Sequence, residues 1–330
     1  MHTNSPTPSR PDPAPAPPPQ ILPGEHPAPD RRALVLGGGG STGNAWLIGV
    51  LAGLAEAGAE VTGADLTIGT SAGATAAAQC AGATPAELYL GALQVPPGLP
   101  AVAPSSAAPP AAVTSDSAPA PGGAPSALDR ILAVVEASTD LPDMRRRMSA
   151  AAMEHDAELG AERSARWRSI VARRLPCTRW PQRRILLTAI DARTGEEALL
   201  DRDSGLDLVD AVAASCSSGP AYQVGEKRFI DGGFRCGAEN ADLAAGHGRV
   251  LVLAPLGGRS LHARAWGTHL EDQVAQLRAQ GSAVRMVVPR QEAQHLFGAA
   301  AMTAALRPDA AREGHRQGTL LAEEIAAFWG

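Results

Sequence analysis

The chain has 330 residues and a net charge of -5, with 3% aromatic residues, heavy use of Ala, Gly, Pro and Arg, and Lys227 as its one lysine. That length suits a sizeable buried core in one large domain or two small ones, and the acidic balance argues against a general nucleic-acid binder, which needs a basic surface. No apolar run reaches the ~20 residues of a membrane-spanning helix, and no basic segment followed by an apolar stretch opens the chain, so a cytoplasmic protein without a signal peptide is expected.

In chain order, residues 1–30 are dominated by Pro and read as a disordered tail, leaving 31–330 for the folded domain. Ala33-Leu34-Val35-Leu36 is a buried strand. Four glycines follow, and then Trp46, Leu47, Val50, Leu51 and Leu54 recur at helical spacing over 44–57, with Gly58 as a stop. A strand over 66–69 leads to a helix opening at Ser71. The stretch 94–127 is low in complexity and reads as a flexible insertion. Helices are predicted over 126–136 and within 143–174, strands over 184–189 and 197–200, and a helix over 206–214. Strands at 228–230, 250–253 and 283–288 and helices at 273–279 and 309–328 complete the chain. Alternating strands and helices indicate an α/β fold with a mostly parallel sheet covered on both faces. Cys80, Cys177, Cys216 and Cys236 are widely spaced with no Cys-x-x-Cys pair, which favours free thiols in a reducing compartment over disulfides.

Gly37-Gly38-Gly39-Gly40-Ser41-Thr42-Gly43 lies between a strand and a helix, where bare backbone N–H groups and the helix dipole favour negative charge. Phosphate binding and oxyanion stabilisation both use such a nest, and a plain tight turn is the structural alternative. Gly38-x-Gly40-x-x-Gly43 also fits the dinucleotide pattern, but the acid it requires could only be Asp65, which precedes the second strand instead of ending it. No Lys follows the glycines, which excludes a nucleoside-triphosphate loop.

Ile68-Gly69-Thr70-Ser71-Ala72-Gly73 is a strand, a Gly-x-Ser-x-Gly turn and the start of a helix. A sharp turn of this kind lifts the serine hydroxyl off the sheet; the alternative is Ser71 as a helix N-cap. A serine nucleophile needs a proton acceptor. His247, His262, His269 and His295 lie downstream, none in a strand-end motif. Asp231-Gly232-Gly233 directly follows the strand ending at Ile230, and burial there would raise its pKa and make it a better base. A turn-forming Asp-Gly is the alternative.

With these pieces in this order, the chain resembles the patatin-like phospholipase family over about 33–82 and 184–252. The resemblance implies a three-layer α/β/α fold and hydrolysis of lipid acyl esters by a Ser–Asp dyad without histidine, metal or cofactor. Ser71 is then the nucleophile, Asp231 the base, and the amides of Gly38, Gly39 and Gly40 the oxyanion hole. Ala214-Ser215-Cys216-Ser217 with Pro220 looks like the segment before the family's dyad aspartate, and Asn240 like the asparagine after it. Gly219-Pro220 inverts a commoner order. Thr42 stands where the family commonly has Arg or Lys, which removes a cation beside the oxyanion loop and favours a smaller neutral ester over a phospholipid headgroup. Eight arginines and no acid lie between Arg163 and Arg184, with Trp167 and Trp180 among them; a peripheral lipid-surface contact and a solvated helix face are both open readings. A Ser-His-Asp esterase and a catalytically silent lipid- or nucleotide-binding protein are the competing functions.

Overall fold

The structure, a computed structural model, describes residues 27–94, 127–159 and 162–330. Nearly all of the expected tail and insertion lies outside the described residues. Strand β1 (Ala28–Leu36) leads into α1 (Gly40–Glu56), and β2 (Leu66–Gly69) into α2 (Ala72–Gly82) and α3 (Pro85–Ala92). Helices α4 (Ala127–Glu136), α5 (Leu141–Leu159) and α6 (Glu162–Ala172) precede β3 (Arg184–Asp191), β4 (Glu197–Leu200) and α7 (Leu208–Ser215). The chain continues through β5 (Tyr222–Val224), β6 (Lys227–Asp231), the single turn α8 (Gly233–Cys236) and β7 (His247–Leu253). It ends with α9 (Leu270–Ala279), β8 (Ala283–Val287) and α10 (Arg307–Trp329).

The strands form one eight-stranded sheet in the order β5-β6-β3-β2-β1-β7-β8, with β4 also paired to β3. Strands β3, β2, β1, β7 and β8 are parallel to their neighbours in that series, whereas β4 and β6 run antiparallel to β3, and β5 to β6. Parallel strands buried on both faces need apolar residues at every position, and β1 and β7 supply them. Leu34, Leu36, Leu251 and Leu253 enter the larger core, which α1, α2, α7 and α10 cover. Ala33, Val35, Val250 and Val252 enter a second core under α9 and the turn at Ala241–Ala244. The result is a mixed α/β architecture with helices on both sheet faces.

Helix α1 is apolar on nearly every side. Such a helix is stable only when surrounded, and Trp46, Leu47, Val50 and Leu54 are completely inaccessible.

The register around β3 brings distant segments together. Leu187 pairs with Gly69 on one side and Leu200 on the other; Ala189 pairs with Asp231 and Ala198. Because β4 pairs with β3 from Leu187 to Ile190, overlapping β2 at Leu187 and β6 at Ala189 and Ile190, β2 and β6 share the opposite edge and meet head to head. Gly69 and Asp231 therefore stand two β3 residues apart, and the turn after β2 must run alongside Asp231.

Two of the differences from the sequence expectation concern the sheet. Strand β1 begins at Ala28, inside the expected tail, because β7 extends to His247 and offers Ala28 a partner across an irregularity in register. The hairpin strand β5 was not anticipated; three residues pairing Gln223 with Arg228 carry too little hydrophobic alternation to register as a strand. All four cysteines are free thiols. Among the described residues no helix is long and apolar enough to cross a membrane.

Candidate active site

Ser71 sits in the one-residue gap between Thr70, just past the end of β2, and Ala72, the first residue of α2. Its backbone angles are φ 53° and ψ -111°, a conformation that costs a non-glycine residue roughly 1–3 kcal/mol and persists only when neighbours impose it. The neighbours are identifiable. The Ser71 amide donates to Ser215 Oγ at 3.0 Å, and the Cys216 thiol donates to the Ser71 carbonyl at 3.1 Å. On either side, the Thr70 amide donates to Leu36 O at 3.1 Å and the Gly73 amide to Thr70 O at 2.8 Å. Burial, and then the nearby Asp231 carboxylate, push the Cys216 thiol up to about 12, so it remains a neutral donor. Gly73 is required by space: a Cβ there would lie 1.8 Å from Leu36 O. The side chain of Ser71 makes no N-cap bond to its own helix; it is directed elsewhere.

The Ser71 side chain lies near Asp231. The Asp231 side chain is 5% exposed, its Oδ1 accepts the Gly233 amide at 2.8 Å, and its own amide donates to Ser217 O at 2.9 Å. Burial raises its pKa to about 6, against the opposing pull of the Gly233 amide and, more weakly, of the Ser71 side chain nearby.

The glycine loop faces the same point. A Cβ built on Gly38 would stand 3.7 Å from Ser71 Cβ. Gly38 donates its amide to Ala238 O at 2.8 Å, which pins the loop but spends that donor. Among the described residues the amides of Gly39 and Gly40 have no acceptor. They are the free donors at the N-terminus of α1, where the helix dipole also favours negative charge.

A buried polar network supports the two strand ends. Asn240 Nδ2 reaches Thr70 Oγ1 at 2.9 Å, Thr188 Oγ1 at 3.2 Å and Gly232 O at 3.0 Å, while Thr70 and Thr188 share a hydrogen bond of 2.9 Å. Asn240 itself takes the left-handed conformation, φ 53°, which Asn tolerates better than most residues. One amide thus ties the turns that carry Ser71 and Asp231. Sequence reasoning marked Asn240, Ser215 and Cys216 only through the family resemblance; their roles as clamps depend on contacts across the sheet.

Glu239 was not anticipated as a site residue. It is 2% exposed, its Oε1 has no hydrogen-bond partner, and its Cγ would stand 3.2 Å from a Cβ on Gly37. Burial pushes its pKa from 4.5 to about 7, opposed only by its own backbone amide. The folded state therefore holds a proton that the unfolded chain has lost, and stability falls as pH rises from about 4.5 to 7. Glu239→Gln is expected to reduce the loss of unfolding free energy between pH 5 and pH 8 by about 2–3 kcal/mol. Urea titrations at both pH values measure this, and parallel pH profiles for variant and wild type would refute it.

The downstream histidines have other partners. His247 Nδ1 contacts Ala244 O at 3.0 Å, His262 Nδ1 contacts Thr268 Oγ1 at 3.0 Å, His269 Nε2 contacts His262 O at 2.9 Å, and His295 Nδ1 contacts Glu292 O at 2.9 Å. None of these contacts involves Ser71 or Asp231. Among the described residues no cluster of three or more His, Cys, Asp or Glu side chains is arranged to hold a metal ion. Comparison with known proteins finds no matching family model and no matching curated relative.

Proposed function

We propose that this chain is a serine acyl hydrolase with a patatin-like α/β/α fold, cleaving lipid or small carboxylic esters through Ser71 and Asp231. One observation carries the reading: a strained, positive-φ serine at a strand–helix turn whose side chain lies near a buried carboxylate, beside two free loop amides.

In the proposed reaction, ionised Asp231 takes the proton from Ser71 Oγ as the oxygen attacks the ester carbonyl carbon. The Gly39 and Gly40 amides receive the charge that develops on the carbonyl oxygen, a contribution worth about 100- to 1000-fold in rate per donor. Collapse of the tetrahedral species expels the alcohol, which leaves with the proton from Asp231, and an acyl-serine remains. Water then attacks this ester, Asp231 takes the water proton, and the serine oxygen recovers it as the acid departs. A carboxyl with a pKa of about 6 suits the exchange, since it is largely ionised at neutral pH yet a stronger base than an exposed aspartate.

The test is covalent. A fluorophosphonate probe is expected to label the native protein on the peptide bearing Ser71, with no labelling of Ser71→Ala. A folded wild-type protein that resists the probe and turns over no ester is instead the catalytically silent binding protein.

A further inference from the structure

Strand β6 ends at Asp231, and the chain then makes the single turn α8 before it reaches Asn240. Arg235, four residues after Asp231, is a buried arginine, 5% exposed. Its amide donates to Gly232 O at 3.1 Å, and its carbonyl accepts Nε of Arg145 from α5 at 3.1 Å. The guanidinium is fixed on every side. Nε meets Glu197 Oε2 at 2.7 Å and Nη2 meets Asp242 Oδ2 at 2.9 Å. Nη1 donates to Asp242 Oδ1 at 2.9 Å and to Asn240 Oδ1 at 3.2 Å. Arg145 Nη1 meets Glu197 Oε1 at 3.2 Å, so two guanidiniums face two carboxylates and the cluster is balanced in charge.

The contact with Asn240 decides which way its amide points. The Arg235 guanidinium and the Cys236 amide, the latter 3.1 Å from Asn240 Oδ1, can only donate, so the atom facing them is oxygen. Nδ2 is thereby turned toward Gly232 O, which can only accept, and toward the hydroxyls of Thr70 and Thr188. These bonds close a ring. Gly232 O receives both the Arg235 amide and the Asn240 side chain, while Asn240 Oδ1 receives the Arg235 guanidinium. Gly232 follows Asp231 and Thr70 precedes Ser71, so the ring spans from the candidate base to the candidate nucleophile. It leans on β3, where a Cβ on Gly232 would lie 2.1 Å from Thr188 Oγ1. A buried ion-pair cluster adds little stability over apolar packing of the same volume, because desolvation offsets the attraction; what this one supplies is direction.

We propose that Arg235 is a positioning residue for ester hydrolysis, which sets the orientation of the Asn240 amide and through it the placement of Ser71 relative to Asp231. The proposal rests on the hydrolase reading and adds to it a residue that acts on the site through another side chain. Arginine suits the task because its planar fork of donors serves Glu197, Asp242 and Asn240 at once, whereas a lysine ammonium carries the charge without the fork.

A double-mutant cycle tests this. Arg235→Gln removes the guanidinium, and Asn240→Gly removes the amide while suiting the backbone at φ 53°. Turnover of p-nitrophenyl butyrate is measured for each variant and for their combination. Expressing kcat per site titrated by a fluorophosphonate leaves unfolded protein out of the count. Arg235→Gln is expected to lower kcat about 10- to 100-fold with little change in KM, the range for loss of one charge-assisted hydrogen bond. In the Asn240→Gly background the same substitution should cost about 2-fold or less, because its effect passes through the amide already removed. Arg235→Lys keeps a charge between Glu197 and Asp242 and covers the case in which Arg235→Gln folds poorly. Its loss should be smaller, and should also vanish beside Asn240→Gly. Unchanged kcat per titrated site in the Arg235 variant that folds, or losses that multiply in full in the double variant, overturns the positioning role and leaves the hydrolase reading intact. A folded wild type with neither labelling nor turnover overturns that reading, and the positioning role falls with it.

Discussion

Asp231→Asn is expected to lower ester turnover by about 10⁴-fold or more while making the protein more stable at pH 8. The first effect follows from chemistry. Asn has the shape to keep the Gly233 amide contact, which is 2.8 Å in the native protein, but cannot accept the Ser71 proton, and loss of a single member of a catalytic Ser unit commonly costs about 10⁴-fold or more. The second effect follows from linkage. The folded-state pKa of about 6 lies above the ordinary 3.8, so the native state binds more protons than the unfolded chain between those values. Stability is highest below the lower pKa and declines as pH rises through the upper one. Removing the buried charge abolishes that decline, a gain of up to about 3 kcal/mol at pH 8 and little at pH 4. Wild-type kcat/KM should rise with pH along a limb near pH 6, the value for the carboxylate that must ionise. Urea unfolding at the two pH values, with p-nitrophenyl ester kinetics, measures both arms. Near-normal turnover by the variant would remove Asp231 from the mechanism.

The opposing directions of these arms bear on what the sequence reveals. Ser71 and Asp231 could be picked out as candidates because each motif couples an element boundary to a residue of known chemistry, and because apolar runs locate the strands. Their mutual approach could not be read. It depends on β6 entering the same edge of β3 as β2, and no residue in Arg228-Phe229-Ile230 announces whether that strand runs parallel or antiparallel. The Ser215, Cys216 and Asn240 clamps were hidden for the same reason: each acts on a partner far along the chain. Glu239 looks like an ordinary surface acid in sequence, and only the packing of the loop before β7 against Gly37 buries it. Arg307 is likewise brought beside the glycine loop only by tertiary structure, where it donates to Ser41 O.

Helix packing offers the second large effect. Gly314→Ala in α10 should cost about 3 kcal/mol or more, although Ala is normally about 1 kcal/mol better than Gly inside a helix. Gly49 and Gly53 on α1, and Gly314 and Gly318 on α10, are each four residues apart and so lie on one face of their helix. A Cβ on these positions would meet Ala311 O at 2.2 Å, His315 O at 2.2 Å, Trp46 O at 2.3 Å and Val50 O at 2.3 Å, respectively. Every obstacle is backbone, so no side-chain rotation relieves the overlap, and the helices must separate. Separation would also strain neighbouring contacts: Trp46 Nε1 donates to Gln317 Oε1 at 3.3 Å, and the Trp46 ring meets Phe297 edge-on at 6.2 Å. Gly91 in α3 provides the control, because a Cβ there meets nothing within 4 Å; Gly91→Ala should be neutral or stabilise by up to about 1 kcal/mol. The comparison separates packing from propensity, since both substitutions add the same methyl group to a helix. If Gly314→Ala unfolds at the same urea concentration as Gly91→Ala, the two helices do not pack backbone to backbone. If it unfolds much earlier, the same displacement should weaken ester turnover, because the first turn of α1 carries Gly40.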